Sequence, residues 1–363
     1  MHENKEYLTT QLITYLGNKR SLLDFIGEGI KRVQKRLNKQ KLRMFDVFSG
    51  SGIAARFFRQ FSDLLIVNDL EKYSAVINGC YLSNDDERGM ALLREYYREL
   101  IEQADNSRHG GIISELYAPK DDANITSGER VFYTRRNAVY IDTVRQLIAK
   151  IPANEQKFFL APLLSEASIH ANTSGVFKGF YKNRSGVGQF GGKNQDALSR
   201  IKGDIVLPFP VFSNFNCETV IYNGDSNRII ETAPEADVAY IDPPYNQHPY
   251  GSNYFMLNLI LDYVYPEKIS KVSGIPENWN RSGYNQKSHA LHVLTHLVGN
   301  IKSKFVLISF NSEGLISADQ MKAMLEKAGR LNVLETKYNT FKGSRNLSGR
   351  EIHVKEYLFL LEK

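Results

Sequence analysis

Met44-Phe-Asp-Val-Phe48-Ser-Gly50-Ser-Gly52, followed at once by a helix-length segment (53–61) and then by Leu64-Leu-Ile-Val-Asn-Asp69, decides the fold. An apolar run of strand length, a glycine-rich turn, a helix and a second apolar strand open a parallel α/β sheet. Glycines between strand and helix let a ligand approach the backbone, and the helix N-terminus that follows favours an anion. Alone, this turn is ambiguous. Gly50-x-Gly52-x-x-Ala55 nearly matches the dinucleotide fingerprint, and a tight turn in a doubly wound sheet fits as well. Asp69, ending the second strand, is placed to hold ribose hydroxyls.

Upstream, Leu22, Leu23, Ile26, Ile30, Val33 and Leu37 recur at three- and four-residue spacing and predict an amphipathic helix over 20–37. Its other face runs into Lys31, Arg32, Lys35, Arg36, Lys39, Lys41 and Arg43, the pattern of a solvated helix face. Downstream, 72–107 reads mostly as helix. From 108 to 215 the strand–helix alternation stops; helices are expected at 135–150 and 154–170, then a stretch rich in glycine, lysine and aromatics at 174–202. The alternation resumes with strands at 219–226 and 237–242. A helix at 286–302, a strand at 304–310, a helix at 317–328 and strands near 331–338 and 352–361 follow. One α/β domain, 1–107 plus 216–363, is therefore expected to be split by an inserted region, 108–215.

The chain has 363 residues, 42% apolar and 24% charged, with a net charge of +6 and a pI near 9.0. That modest basic excess permits a nucleic-acid partner without proving one. No apolar run approaches the roughly 18–20 residues that cross a bilayer, and the N-terminus lacks the order of a secretory signal. Cys80 and Cys217 form no CxxC pair, which argues against a disulfide framework or cysteine zinc site and fits a reducing cytoplasm. A cytoplasmic protein with no membrane partner is expected.

Asp242-Pro243-Pro244-Tyr245, directly after the apolar strand, carries the chemistry. Two prolines fix φ and remove two backbone donors, leaving a stiff loop whose carbonyls are free to accept. An ionised aspartate also only accepts. Such a loop, with an aromatic ring next in sequence, suits a planar group bearing an exocyclic amine.

With these residues in view, the sequence resembles the D12 class (Dam-type, α-group) of adenine-N6-specific DNA methyltransferases of bacterial restriction–modification systems. Tyr15-Leu-Gly-Asn-Lys19, Asp46-Val-Phe48-Ser-Gly50-Ser-Gly52, Asn223-Gly-Asp225 and Asp242-Pro-Pro-Tyr245 carry the likeness, over residues 15–245. The resemblance implies a Rossmann-like, mostly parallel methyltransferase sheet with helices on both faces and an inserted DNA target-recognition region at 108–215. It implies S-adenosylmethionine as cofactor, with Tyr15, Lys19, Asp46, Phe48, Gly50, Gly52, Asp69 and Asp225 around it. Lys19 would pair with the methionine carboxylate; a surface lysine is the plainer reading. Asp225 would lie near the adenine, or serve only as a helix N-cap. Asp242 and the Pro243 carbonyl would bind the target N6 amine, and Tyr245 would stack on the base. The implied partner is double-stranded DNA, with room for a cognate restriction endonuclease and for a monomer or dimer.

Reaching N6 in duplex DNA requires flipping the adenine out, at a cost of a few kcal/mol. Stacking on Tyr245 would return about 1–3 kcal/mol. Hydrogen bonds from both amine protons would free the lone pair for direct in-line transfer, so no covalent enzyme intermediate is needed. Cytosine C5 methylation needs a cysteine nucleophile in a Pro-Cys loop, which is absent. Cytosine N4 methylation uses the same logic, but such enzymes more often carry Ser at the position of Asp242. An RNA adenine-N6 methyltransferase would need the same acceptor loop. A catalytically inactive DNA-binding protein would not, and the intact Asp242, Tyr245, Gly50 and Gly52 argue against it.

Lys178, Lys182, Arg184, Lys193, Arg200 and Lys202 against a lone acid, Asp196, make 178–202 the expected DNA contact, a mobile hairpin interleaved with Phe180, Tyr181 and Phe190. A flexible glycine loop is the blander reading. Residues 342–350 form a weaker basic segment. His289, His292 and His296 share a helix face, but no further ligand completes a metal site and the reaction needs none.

Overall fold

Seven strands form one sheet: β1 (Leu42–Asp46), β2 (Ser62–Asp69), β3 (Glu218–Asn223), β4 (Ala236–Ile241), β5 (Ser303–Asn311), β6 (Arg330–Asn339) and β7 (His353–Glu362). This computed structural model describes residues 2–84, 86, 89–192, 195, 197–339 and 353–363. The strand order is β3-β2-β1-β4-β5-β7-β6. β1 to β5 pair in parallel, and β7 runs antiparallel between β5 and β6. The mostly parallel α/β sheet expected from the sequence is the sheet observed.

Both faces of the central strands are apolar because both are covered, as a parallel sheet requires. Successive side chains alternate between the faces. Met44, Leu65, Val238 and Leu307 pack with Ile26, Ile30 and Val33 of the helix Leu23–Leu37 and with Phe57 and Phe58. Phe45, Ile66, Ala239 and Ile308 point the other way, against Leu294, Leu297 and Val298 of the helix Ala290–Asn300 and Met321 and Leu325 of Ala318–Glu326. Ile26, Ile30 and Val33 are fully buried, each contributing about 1.5–3 kcal/mol.

The mostly helical stretch 72–107 expected from the sequence contains the helices Lys72–Tyr81 and Met90–Asn106 among the described residues. Gly89 adopts φ +46°, which a continuing helix cannot contain. The crossover from β2 to β3 is long and mostly helical, running through Met90–Asn106, Arg135–Ile148 and Ala153–Ile169. These helices share one apolar core with Tyr73, Ile77, Cys80 and Tyr81 of the helix Lys72–Tyr81 and with Phe255–Ile260 of the helix Phe255–Asp262. Tyr7, Leu12 and Ile13 from the N-terminus enter the same core.

The order of strands reverses between β1 and β4, the switch point where open α/β sheets bind ligands at their carboxyl ends. Asp46 ends β1 and Asp242 follows β4 at that point. No helix among the described residues is long and apolar enough to cross a membrane.

Candidate active site

A cleft opens at the switch point. It gathers Tyr15, Lys19, Phe48, Gly50, Asp69, Asp225, Asp242 and Pro244 from segments far apart in sequence. Asp46 lies beneath it, fully buried. Gly52, Pro243 and Tyr245 adjoin the cleft in sequence but are not among its lining residues.

The glycine turn is closed by its neighbours. Gly50 (φ +50°) and Gly52 (φ +75°) occupy the left-handed region. A Cβ on Gly50 would fall 2.8 Å from the Tyr15 ring, and one on Gly52 2.8 Å from Asn78 Oδ1. The sequence needs glycine at both places, for conformation and for space. Asp69 fastens the turn to β2: its carboxylate accepts from the Gly50 N–H (2.8 Å) and the Glu71 N–H (2.9 Å). Burial pushes the Asp69 carboxyl up to about 6, opposed by those backbone donors.

Tyr15–Asn18 crosses the cleft as a strap. Tyr15 stacks on Tyr250 and on Tyr254 with ring centroids 4.9 Å away in each case. The Leu16 N–H donates to the Tyr254 hydroxyl (2.8 Å), and the Tyr250 hydroxyl donates to the Leu16 carbonyl (3.0 Å). Gly17 (φ +74°) lets the strap close on the Tyr245 hydroxyl, where a Cβ would stand 3.0 Å away.

Lys19, which sequence reasoning leaves open as a surface residue, is 5% exposed. Its Nζ lies 3.0 Å from Asp242 Oδ1 and 3.4 Å from Glu356 Oε1. It also sits 5.4 Å from the centre of the Tyr245 ring. Burial alone would lower the lysine, but the two carboxylates outweigh it and hold the ammonium charged. Burial pushes the Asp242 carboxyl up to about 6, opposed by the Lys19 ammonium and reinforced by Glu356. Burial, then Asp242 and Asp69, raises Asp46 well above the usual carboxylate range.

Asp225 is the N-cap of the helix Ser226–Thr232, accepting from the Asn227 N–H (2.8 Å), while also lining the cleft. Phe48 meets Tyr284 edge-to-face at 5.0 Å. Both rings line the cleft and give it an apolar wall.

Several lining residues escape sequence reasoning. Glu71, 2% exposed, accepts from Asn258 (2.6 Å) and Asn280 (3.2 Å), and burial with the nearby Asp69 pushes it up to about 7. A second acid two residues beyond the end of β2 was the available signal. Glu356 carried a fainter one: a carboxylate in β7 directly before its apolar run Tyr357–Leu361. Tyr250, Asn280 and Tyr284 had none, because their elements follow the Asp-Pro-Pro-Tyr loop without periodic pattern.

The expected DNA-contact residues divide. Lys178, Lys182, Arg184 and Lys202 are exposed. Residues 181–189 form a short hairpin, bridged at Lys182 and Gly188 and closed by the Asn183 N–H donating to the Val187 carbonyl (2.8 Å). Arg200 turns inward instead, donating to the carbonyls of Ile169, Ala171 and Thr173. Lys193 and the basic segment 342–350 lie outside the described residues. His292 and His296 are exposed on their helix, and His296 Nδ1 pairs with the Asn227 amide (3.0 Å). Among the described residues no His, Cys, Asp or Glu cluster has the makings of a metal site.

A switch-point cleft with Asp69 ending β2, Glu71 just beyond it, an aromatic wall and a rigid acceptor loop after β4 is the site of a Rossmann-like methyl-transfer enzyme. The chain belongs to the D12 class N6 adenine-specific DNA methyltransferases, whose family model matches residues 15–324. It is 29% identical to Type II methyltransferase M.NlaIII of Neisseria lactamica, over 97% of this chain and 99% of that one. It is 30% identical to Type II methyltransferase M.CviAII of Paramecium bursaria Chlorella virus 1, over 96% and 98%. Type II methyltransferase M.FokI of Planomicrobium okeanokoites is 26% identical over 96% of this chain, which spans 52% of that longer protein. The enzyme is thus an adenine-N6 DNA methyltransferase: its substrate is DNA and it requires a methyl donor.

Proposed function

We propose that the protein transfers a methyl group from S-adenosylmethionine to N6 of an adenine flipped out of duplex DNA at a defined sequence, within a restriction–modification system. The observation that carries this is the opening of Asp242 and Pro244 onto the same cleft as the Phe48–Gly50 turn and Asp69. A donor seated against the turn and an amine held by the loop would meet across it. The relatives' description as Type II methyltransferases supports the restriction–modification role and, with it, a cognate endonuclease.

The residues fit the cofactor. Asp69 and Glu71 offer acceptors for ribose hydroxyls: each Asp69 oxygen takes one N–H and retains a second lone pair, and both amide donors on Glu71 go to Oε2, leaving Oε1 to accept. Phe48 and Tyr284 offer an apolar wall for its adenine. Lys19 has three donors; two carboxylates engage it, leaving one for the cofactor's own carboxylate. When bound, S-adenosylmethionine supplies an electrophilic methyl group.

This chain's part is to position and polarise. Asp242 and the Pro243 carbonyl accept the two amine hydrogens, drawing the nitrogen out of conjugation with its ring. Tyr245, braced edge-to-face on Phe310 at 6.1 Å, supplies the face for the flipped base. The strap Tyr15–Asn18 excludes water above the turn. Residues 108–215 are assigned to target recognition, with the 181–189 hairpin tracking the phosphate backbone.

Asp242→Ala tests the reading. Methyl transfer to DNA is expected to disappear while cofactor affinity, measured calorimetrically, stays within a few-fold. Full activity in this variant would sink the assignment. Mass analysis of nucleosides from DNA modified by the wild-type enzyme is expected to give N6-methyladenine and no N4-methylcytosine.

A further inference from the structure

Glu356 belongs to β7, two strands from the Asp242 loop, and no motif draws attention to it. It is 3% exposed, with one oxygen 3.4 Å from Lys19 Nζ. The Ser309 hydroxyl of β5, the intervening strand, donates to the same oxygen at 3.1 Å. Lys19 Nζ is therefore held from both sides, by Asp242 after β4 and by Glu356 of β7. A buried carboxylate so placed does not serve packing alone, since desolvating it carries a penalty that an apolar residue would avoid.

We infer that Glu356 is a positioning residue of the methyl-transfer site: it holds Lys19 beside Asp242, and with Lys19 it sets the pH at which Asp242 becomes an ionised acceptor. The inference rests on the reading of Asp242 as acceptor of the target amine. One ammonium neutralises only one of two carboxylates. The second negative charge makes Asp242 easier to protonate, and the lysine makes it harder. The other groups facing Asp242 are Asp46 at the end of β1, Tyr240 in β4 and Tyr250 of the helix Tyr250–Asn253. Burial holds the two phenols neutral across the pH range tested, and Asp46 is raised by burial and then by Asp242 itself. The shared lysine also lies against the Tyr245 ring, so holding it fixes the ring that would face the base.

The test compares Glu356→Gln, Glu356→Asp and Asp242→Asn with the wild type. In E356Q the 13C carboxyl titration of Asp242, assigned by its loss in D242N, is expected to move to lower pH by roughly one unit. The acid limb of kcat, taken at saturating donor and DNA, moves with it. E356D keeps the charge one methylene further from the ammonium and shifts both in the same direction by less. A purely structural Glu356 would lower the plateau or the melting temperature and leave the titration where it was; that result overturns the inference. Should E356Q not fold, an unshifted titration and limb in E356D overturn it equally. Full transfer by D242N would instead remove the reading of Asp242 on which the inference stands.

Discussion

Ionised Asp242 is a stronger acceptor of an amine hydrogen than its neutral form, and burial raises its carboxyl to about 6 despite Lys19. The active form is the deprotonated one, so kcat falls as pH drops through that value and is level above it. Asp69, raised to about 6, and Glu71, raised to about 7, face the proposed cofactor end of the cleft. Their protonation turns charged acceptors for hydroxyl groups into weaker neutral ones, so KM for the donor is expected to rise as pH falls below about 7, before kcat declines. Steady-state kinetics between pH 5 and 8, with donor varied at saturating DNA, separate the two limbs. Glu71→Gln should abolish the upper one, and a KM independent of pH would show that these carboxylates do not meet the donor. Much of this site was legible in sequence, because Asp242-Pro-Pro-Tyr245 and the Phe48–Gly52 turn are local patterns. Glu71 and Glu356 were not, because their meaning depends on which distant segment folds over them. Lys19 was half legible: its motif was visible, but the two carboxylates beside it come from β4 and β7.

The elements that hold the cleft are short, and their ends carry the strain. Gly50→Ala would force an L-residue into a left-handed conformation at a cost of about 1–2 kcal/mol. It would also drive a methyl group into the Tyr15 ring, which must move away. Donor affinity is expected to fall at least about tenfold, with DNA binding less affected; calorimetric titration reads both. A second brace is the buried Arg59, which donates to the Phe215 carbonyl (2.6 Å), to Asn84 Oδ1 (2.9 Å) and to the Leu82 carbonyl. It ties the end of the helix Lys72–Tyr81 to the chain entering β3, across the whole crossover. Arg59→Ala strands several buried acceptors at once and should destabilise by at least about 3 kcal/mol, read from the shift in urea midpoint. Apolar periodicity announced the helices on both faces of the sheet. It did not show where one helix ends at Tyr81 and the next begins after Gly89, because 3.6-residue spacing records which side is buried and not where the chain breaks.

At the scale of the whole molecule, the question is how a sheet with its cleft at one end engages a duplex. The long β2–β3 crossover shares its core with the sheet's own helices through Tyr73, Ile77 and Phe255, so the hairpin it carries is mounted on the same body as the cleft. Its composition was legible; its geometry was not. Six basic residues in one run gave no sign that Arg200 would spend its guanidinium on the carbonyls of Ile169, Ala171 and Thr173. Lys182 and Arg184, by contrast, stand exposed on the hairpin. Two variants therefore separate charge that meets DNA from charge that holds the fold. Lys182→Ala with Arg184→Ala removes two phosphate contacts and is expected to flatten the slope of log Kd against log salt by about 1.8, leaving donor affinity and melting temperature near wild type. Arg200→Ala should do the reverse, lowering the melting temperature by several degrees with the salt slope intact. An unchanged slope in the double variant would move the DNA footprint off this hairpin and onto another face of the same body.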